Sequence, residues 1–461
     1  ESKARHFRTL GDTASFAGGR GHQSLEEYKF PRIKERIFLR IGSVRSGTRP
    51  QRIHTHPTLG FQCAVPGRYG ANRGFGGCVA ACLRSTQMKI NIVRPFLPEL
   101  AELQTEFADC LKSGLVTNNS PHARRFEERL QEYLGCPIRP SVNCNGELSL
   151  YHLIQAWKAR LGYGPHDSFE VLVPSFTFSG TINALVTNNL KPVFCDVDEG
   201  LVLDLKKASV DSRDVRMVVA VGAYGNLPDL DRLGSLAASG GVTVLLDNAP
   251  AFGSRFRGKF SWEYGFSEMI SFHATKVFSS MEGGANIVND PEIAADLLRL
   301  RDFGQFEKTR GDINLPGLNS KMTEICALVG LRNLDKVDQI LNGRARNADR
   351  YREFFGGLEA RGCLRQMDVS PAVTCPYLYF PIILTEDATE FVAYMQAREI
   401  GVRRYYTATH DLTYYRDQYR RQDLSFTNEI KDRIVSLPLH TVMTDAEMDY
   451  LFDSVGAYFA C

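Results

Sequence analysis

The sequence predicts an α/β protein: a mostly parallel sheet with helices on both faces, followed by a smaller α+β unit. Three observations carry that expectation. Between Phe169 and Leu300, short apolar runs alternate with segments of helical period, the order that builds parallel sheets with crossover helices. Met217–Val221 and Val242–Leu246 are near-continuous apolar runs, which suits strands covered on both faces. The length of 461 residues exceeds one compact domain and suggests two or three.

Taken in order, a strand-like entry, Lys89–Val93, follows Met88. Pro98–Leu111 carries Leu100, Leu103, Phe107 and Leu111 at helical spacing and ends at Gly114. Ser120 and Pro121 open a second helix that buries Phe126, Leu130 and Leu134 and closes at Gly135. Asn143–Gly146 reads as a turn, and Leu148–Trp157 as a helix with Leu150, Leu153, Ile154 and Trp157 on one face. Strands are expected at Phe169–Val173, Pro192–Val197, Met217–Val221, Val242–Leu246, Met269–Phe272 and Ala285–Val288. Helices are expected at Ser179–Val186, Leu230–Ala238 and Pro291–Leu300. Thr323–Leu341 reads as one long helix leaving the sheet. Then come a strand at Leu378–Leu384, a helix at Glu390–Ala397, strands at Val402–Tyr406 and Ile434–Leu437, and a closing helix at Ala446–Val455. The expected division is a large α/β domain over 88–345 and a small α+β domain over 346–461.

Composition is ordinary for a globular protein, 43% hydrophobic and 23% charged. No apolar run approaches the roughly 18 residues of a membrane span, so no membrane partner is expected. Eleven cysteines, an odd number, are scattered without a CxxC pair. A disulfide framework or zinc site is therefore not expected, no metal is assigned, and a reducing cytoplasm fits best. The net charge of +2 hides an asymmetry. Residues 1–87 hold 15 of the 55 basic and 5 of the 53 acidic residues.

That first stretch reads unlike the rest, with 12 Arg, many Gly and little periodicity. It could be a basic tail for nucleic acid or anionic surfaces. It could be an Arg-rich transit segment, against which Glu26, Glu27 and Glu35 argue. The favoured reading is upstream sequence read from a misplaced start, with Met88 as the true beginning. Poor order is expected there, and no function and no nucleic-acid partner is placed on it.

Two stretches carry chemistry. Ser271-Phe272-His273-Ala274-Thr275-Lys276 follows the apolar Met269–Ile270 and precedes Gly283–Gly284. A lysine at a strand end beside small and hydroxyl residues is a candidate Schiff-base nucleophile, provided burial keeps part of it neutral. Taken alone, such a lysine is usually an exposed surface residue. The second stretch ends in Asp247, directly after Val242–Leu246. Both fall at predicted strand ends, where ligands of such sheets sit. A lysine for covalent attachment and an aspartate under a pyridinium nitrogen are the two groups that pyridoxal phosphate (PLP) chemistry asks of a protein. The Asn143–Gly146 turn, feeding a helix N-terminus, offers N–H groups to a phosphate, a feature common to most α/β proteins.

From Met88 onward the chain resembles the sugar-nucleotide aminotransferases of the DegT/DnrJ/StrS type. The resemblance rests on seven segments in the family's order: VPSFTFSGTINAL (173–185), KPVFCDVD (191–198), LLDNAPAFG (245–253), SFHATKVFSSMEGG (271–284), LRDFG (300–304), PGLNSKMTE (316–324) and SLPLHTVMTD (436–445). It implies the PLP-transferase fold of aspartate aminotransferase (fold type I) and PLP as cofactor. Lys276 matches the Schiff-base lysine that also shuttles the proton, and Asp247 the carboxylate under the pyridine nitrogen. Ser271 matches a hydroxyl donor to the cofactor phosphate. Gly146 and Glu147 occupy the turn that holds that phosphate, and Phe178 matches the aromatic stacked on the ring. Asn319 and Lys321 match a loop that reaches the neighbouring subunit's phosphate, which implies a homodimer with shared active sites.

Two residues depart from the family's pattern. Pro250 stands where His or Gln usually bonds the cofactor's phenolic oxygen, and Glu147 stands where Thr or Ser is common. A carboxylate beside a phosphate repels it, so backbone amides are expected to serve there while Glu147 points away. A related set of dehydratases has His in place of the lysine, whereas Lys276 is kept here.

The resemblance implies transfer of an amino group from L-glutamate to a nucleotide-activated keto-sugar. The runs HATKVF, GLNSKM and VRRYY look like members acting at C4, which narrows the expectation to dTDP-4-keto-6-deoxyglucose. A dehydration at a sugar carbon, or a non-catalytic protein of the same fold, stays open as an alternative. Arg403, Tyr405 and His410, with Arg404 and Tyr406, are candidates to face the nucleotide-sugar, because Arg and Tyr suit a diphosphate with an adjacent ring. His273 is read as structural, and Trp157 and Trp262 as packing.

Overall fold

The computed structural model describes residues 88–210, 214–306 and 309–460; the reading of residues 1–87 lies outside them. In chain order the strands are β1 (Ser141–Asn143), β2 (Glu170–Pro174), β3 (Lys191–Cys195), β4 (Val215–Val221), β5 (Thr243–Asp247), β6 (Arg255–Phe256), β7 (Ser267–Ser271), β8 (Gly284–Ile287), β9 (Gln305–Phe306), β10 (Thr309–Ile313), β11 (Leu364–Gln366), β12 (Val373–Thr374), β13 (Phe380–Leu384) and β14 (Ile434–Leu437). The helices are α1 (Leu100–Ser113), α2 (Pro121–Leu134), α3 (Gly146–Arg160), α4 (Ser179–Thr187), α5 (Leu230–Gly240), α6 (Pro291–Leu300), α7 (Glu324–Leu334), α8 (Val337–Ala360), α9 (Thr389–Gln396), α10 (Ser425–Ile430) and α11 (Asp445–Ala460).

The large sheet has the order β1-β8-β7-β5-β4-β2-β3. Every pairing from β3 to β7 is parallel. Strand β8 runs antiparallel to β7 and to β1. The α/β architecture read from the alternating pattern is present.

Both faces of this sheet are covered, and the pleat decides which residue meets which layer. Val171, Val173, Met217, Val219, Leu245 and Met269 pack with Leu150, Leu153 and Ile154 of α3, Ile182 and Leu185 of α4, and Ile293 and Leu297 of α6. The residues between them, Leu172, Val218, Ala220, Val244 and Leu246, pack with Leu230 and Leu233 of α5. This period of two is the strand's own. Each such side chain contributes about 2 kcal/mol relative to exposure, so the phase is firmly set. It follows that Asp247 and Ser271 extend the phase of Leu245 and Met269, toward α3 and α4.

Local signals set the helix ends. The Asn145 side chain accepts from the Leu148 N–H at 2.8 Å and opens α3. Asp229 and Asp290 cap α5 and α6 in the same way, and Pro121 and Pro291 stand in first turns. Gly114, Gly135 and Gly241 end α1, α2 and α5 with φ of 69°, 65° and 59°, where a side chain would be strained. A buried pair, Arg301 with Glu127, holds β1: Arg301 donates to the Val142 carbonyl at 3.0 Å, and Glu127 accepts from the Val142 N–H at 3.1 Å.

The smaller sheet, β11-β13-β14, is antiparallel. The buried Arg344 of α8 donates to the carbonyls of Pro376, Tyr377, Leu378 and Leu439. It thereby ties the chain entering β13 to the chain leaving β14.

The six strands expected between 169 and 288 are present, shifted by one or two residues at their ends. Strand β1 escaped the sequence reading because it is three residues long and two of them, Ser141 and Asn143, are polar. The helix expected over Thr323–Leu341 is two helices, α7 and α8. Lys336 leaves helical geometry at φ −117°, ψ 15°, and its Nζ binds the Glu102 carboxylate of α1 at 2.7 and 2.5 Å. Helix α8 then runs unbroken through 344–351, where the sequence suggested a boundary. Val402–Tyr406 is not a strand. Arg403 alone exchanges backbone hydrogen bonds with Ser436, at 3.2 and 2.7 Å, while the Ser436 hydroxyl donates to the Tyr405 carbonyl at 3.0 Å.

One buried carboxylate makes the large sheet sensitive to pH. Glu268 of β7 is 4% exposed and accepts from Asn248 Nδ2, directly after Asp247. Burial pushes its pKa up to about 7 from an ordinary 4.5, although Asn248, Ser261 and the Trp262 N–H oppose the rise. The fold therefore keeps a proton that the unfolded chain releases above 4.5. The stability this contributes is complete below that pH and is lost as pH rises through about 7, amounting to about 3 kcal/mol. We expect urea unfolding of the wild type to lose about that much more stability between pH 4 and pH 8 than Glu268→Gln, which cannot ionise. Parallel pH profiles would contradict this.

Candidate active site

The carboxyl ends of the parallel strands bring most of the expected residues together. Asp247 ends β5 and is 4% exposed. Its Oδ2 accepts from Thr181 Oγ1 of α4 at 2.7 Å, and its Oδ1 accepts from the Ala249 N–H at 3.1 Å. Thr181 Oγ1 lies 3.1 Å from Thr177 Oγ1, which extends the network. Lys276, five residues beyond the end of β7, is partly buried and within electrostatic reach of Asp247. Burial pushes the lysine down and the aspartate up. Each charge counters the shift of the other, and Thr181 and the Ala249 N–H help to hold Asp247 ionised.

Beside this pair lies a close backbone approach. A Cβ on Gly146 would fall 2.8 Å from Ser271 Cβ and 2.9 Å from its Oγ, and one on Gly284 would fall 2.6 Å from Gly146 Cα. No side chain fits at either position. The first N–H groups of α3, on Gly146 and Glu147, have no carbonyl within the helix to bond. With the Ser271 hydroxyl they form a cradle suited to an anion. The Glu147 carboxylate is exposed and accepts from Asn183 Nδ2 of α4 at 3.3 Å.

An aromatic group borders the pair. Phe178 precedes α4, is 52% exposed, and has its ring centroid 6.2 Å from that of Tyr405. Tyr405 also meets Tyr379 at 5.7 Å and Tyr224 at 6.5 Å. Burial, then the neighbouring Tyr379 and Asp247, hold its hydroxyl protonated. Thr181, Tyr224 and Tyr379 were missed in the sequence. They are ordinary residue types, and only the fold brings them here.

The remaining expected residues are more scattered. Arg403 is exposed, beside Tyr379, which feels its charge. His410 is 1% exposed, and its Nδ1 is hydrogen-bonded to Ser175 Oγ beyond β2. It supports the Ser175–Phe178 segment from behind. Arg404 is held by Asp387 and Thr389. Asn319 is exposed. Lys321 is 7% exposed, with Nζ 2.7 Å from Asp302 Oδ1 and 4.5 Å above the Phe303 ring. Their loop packs on the turn before α3: the Cys144 N–H donates to the Ser320 carbonyl at 2.6 Å, and Ser320 Oγ to Asn143 Oδ1 at 2.9 Å. Pro250 is buried and brings no side-chain donor. His273 Nδ1 lies 2.8 Å from Thr275 Oγ1 within its own loop.

Residues 99–456 match the model of the DegT/DnrJ/EryC1/StrS aminotransferase family. The chain belongs to that family. A dTDP-4-amino-4,6-dideoxy-D-glucose transaminase of Shigella dysenteriae is 30% identical over 374 residues, 79% of this chain and 98% of that protein. The crystal structure of DesI, solved in the presence of its TDP-sugar product, superposes with a TM-score of 0.71 at 28% identity, over 80% of this chain and 92% of that one. The GDP-4-keto-6-deoxy-D-mannose-3-dehydratase of E. coli, with bound hydrated PLP, gives 0.71 at 19% identity over 79% and 99%, a likeness of fold alone. As a member of the DegT/DnrJ/EryC1/StrS family, the protein is a sugar-nucleotide aminotransferase with the PLP-transferase fold.

For this sugar aminotransferase, the Thr181 contact yields a prediction independent of any ligand. A hydroxyl that donates to a buried carboxylate is worth about 1.5–3 kcal/mol. Thr181→Val keeps the shape and removes the donor, so it should lower stability at pH 8 by about 2 kcal/mol in urea unfolding. Thr181→Ser should lose less than about 1 kcal/mol. Equal losses would show that Thr181 acts through packing alone.

Proposed function

We propose that this aminotransferase uses PLP attached at Lys276 to move the amino group of L-glutamate to C4 of dTDP-4-keto-6-deoxyglucose. The observation that carries this reading is the pairing of Asp247 and Lys276 beside the Gly146–Ser271 cradle. The residues fit the cofactor. The cradle has donors for a phosphate, Asp247 is a buried carboxylate with two donors of its own, and Lys276 is an amine biased toward its neutral form. PLP, when bound, supplies an electrophilic carbonyl and a ring that accepts the electron pair of a broken C–H bond.

In this reading the N–H groups of Gly146 and Glu147 and the Ser271 hydroxyl bind the phosphate, while the Glu147 carboxylate stays with Asn183. Asp247 holds a proton at the ring nitrogen, and Thr181 orients Asp247. Phe178 covers one face of the ring. Lys276 Nζ, when neutral, would take up and give back the proton of the C–H bond that breaks, first for the amino donor and then for the sugar. L-Glutamate leaves as 2-oxoglutarate, and the keto group becomes an amine. Arg403 and Tyr405 orient the nucleotide-sugar, the guanidinium toward the diphosphate, and His410 steadies the Ser175–Phe178 segment behind them. A homodimer in which the exposed Asn319 meets the partner's phosphate site, while the buried Lys321 anchors the loop through Asp302, is supported by exposed apolar residues around that loop, Phe303, Ile313 and Leu318. The narrower substrate rests on the Shigella relative and on DesI.

The test is a two-step absorbance experiment on the full chain loaded with PLP. Adding L-glutamate should bleach the visible band, and dTDP-4-keto-6-deoxyglucose should restore it after the glutamate is removed. Lys276→Ala should form no such band. Bleaching without recovery by any nucleotide keto-sugar would overturn the substrate. Dehydrated sugar in place of amino-sugar would overturn transamination.

A further inference from the structure

A second group of reactive side chains lies outside the Asp247–Lys276 constellation. Cys110 is in the last turn of α1, His122 in the first turn of α2, and Glu324 begins α7. Cys110 Sγ lies 3.4 Å from His122 Nδ1, and His122 Nδ1 lies 3.1 Å from Glu324 Oε2. All three atoms fall within 4.8 Å of one another. Cys110 and Glu324 are buried, and the His122 side chain is 18% exposed. Separations of 12 and 202 residues hide the group from any spacing rule.

Two physical arguments bear on what occupies the point between them. The first is geometric. Bonds of about 2.3 Å to sulfur and about 2.0 Å to nitrogen and oxygen, arranged tetrahedrally, place neighbouring ligand atoms roughly 3.3–3.6 Å apart. The Cys110–His122 and His122–Glu324 edges, 3.4 and 3.1 Å, are close to that, and the third lies within 4.8 Å. The second concerns protons. Nδ1 faces both a thiol and a carboxylate. As donor to Glu324 it has no lone pair left for the thiol hydrogen. As acceptor from the thiol it meets a carboxylate lone pair with its own. A cation bonded to all three would engage the sulfur, the nitrogen and the oxygen at once.

The carboxylate is also oriented as a ligand should be. Its Oε2 accepts the His122 N–H at 2.7 Å and its Oε1 the Ala123 N–H at 3.0 Å. We propose that Cys110, His122 and Glu324 form a binding site for a thiophilic divalent cation of the zinc class. Thiolate plus imidazole disfavours magnesium and calcium, and the two anionic ligands balance a double charge. Binding releases the thiol proton and moves the imidazole hydrogen from Nδ1 to Nε2, leaving the fourth position to water. Such a cation would fasten α1, α2 and α7 together at one point.

The experiment uses the full chain, freed of metal with a chelator and titrated with Co²⁺ as probe, recorded as difference spectra. One equivalent should bind per chain, with a thiolate-to-cobalt charge-transfer band and intense visible bands of a tetrahedral ion. Cys110→Ser should abolish the charge-transfer band, and His122→Gln should weaken binding at least about tenfold, both with an unchanged far-UV circular dichroism spectrum. No stoichiometric binding, a charge-transfer band that survives Cys110→Ser, or affinity unchanged in His122→Gln would overturn the proposal.

Discussion

The burial of a carboxylate and an amine at adjacent strand ends is the constraint on which the rest of the site depends. Removal from water drives both toward neutrality, Asp247 upward and Lys276 downward. Their mutual attraction, the Thr181 hydroxyl and the Ala249 N–H work the other way. In the proposed reading Asp247 would offer its carboxylate to a cationic ring nitrogen, and Lys276, biased toward its neutral form, would move protons and attack a carbonyl. The two-sided sheet makes this arrangement possible. Strands covered on both faces lock the pleat, and that phase points Asp247 and Ser271 toward α3 and α4.

Shape matters beside charge. The contact of Gly146 with Ser271 and Gly284 brings a helix N-terminus against the ends of β7 and β8. A side chain at Gly146 would collide with Ser271, and one at Gly284 with the backbone of Gly146, so either would force the helix N-terminus away from the strand ends. This accounts for the tolerance of an acidic residue at 147. The donors in the cradle are backbone groups, and the Glu147 carboxylate is engaged with Asn183 on its outer side. Pro250 is different, because it is buried and brings no side-chain donor of its own.

The fold was legible because its strands are short, near-continuous apolar runs with two covered faces. Two of the residues gathered at its centre were legible for a related reason: Asp247 and Ser271 each end a strand of this kind. What stayed hidden depends on contacts distant in sequence. Thr181 reaches Asp247 across 66 residues, and Tyr224 and Tyr379 meet Tyr405 from connections far apart in the chain. The break between α7 and α8 was invisible because Lys336 is a good helix former whose partner, Glu102, lies 234 residues away. His410 resembled a ligand-facing residue in the sequence, yet it is buried against Ser175.

The most direct test of the central claim is chemical trapping. The full chain would be incubated with PLP, reduced with borohydride, digested, and mapped by mass spectrometry. The account predicts one pyridoxyl adduct per chain, on the peptide that carries Lys276, and a large loss of labelling in Asp247→Asn. Labelling spread over surface lysines, or an adduct on Lys321 with Lys276 unmodified, would contradict it.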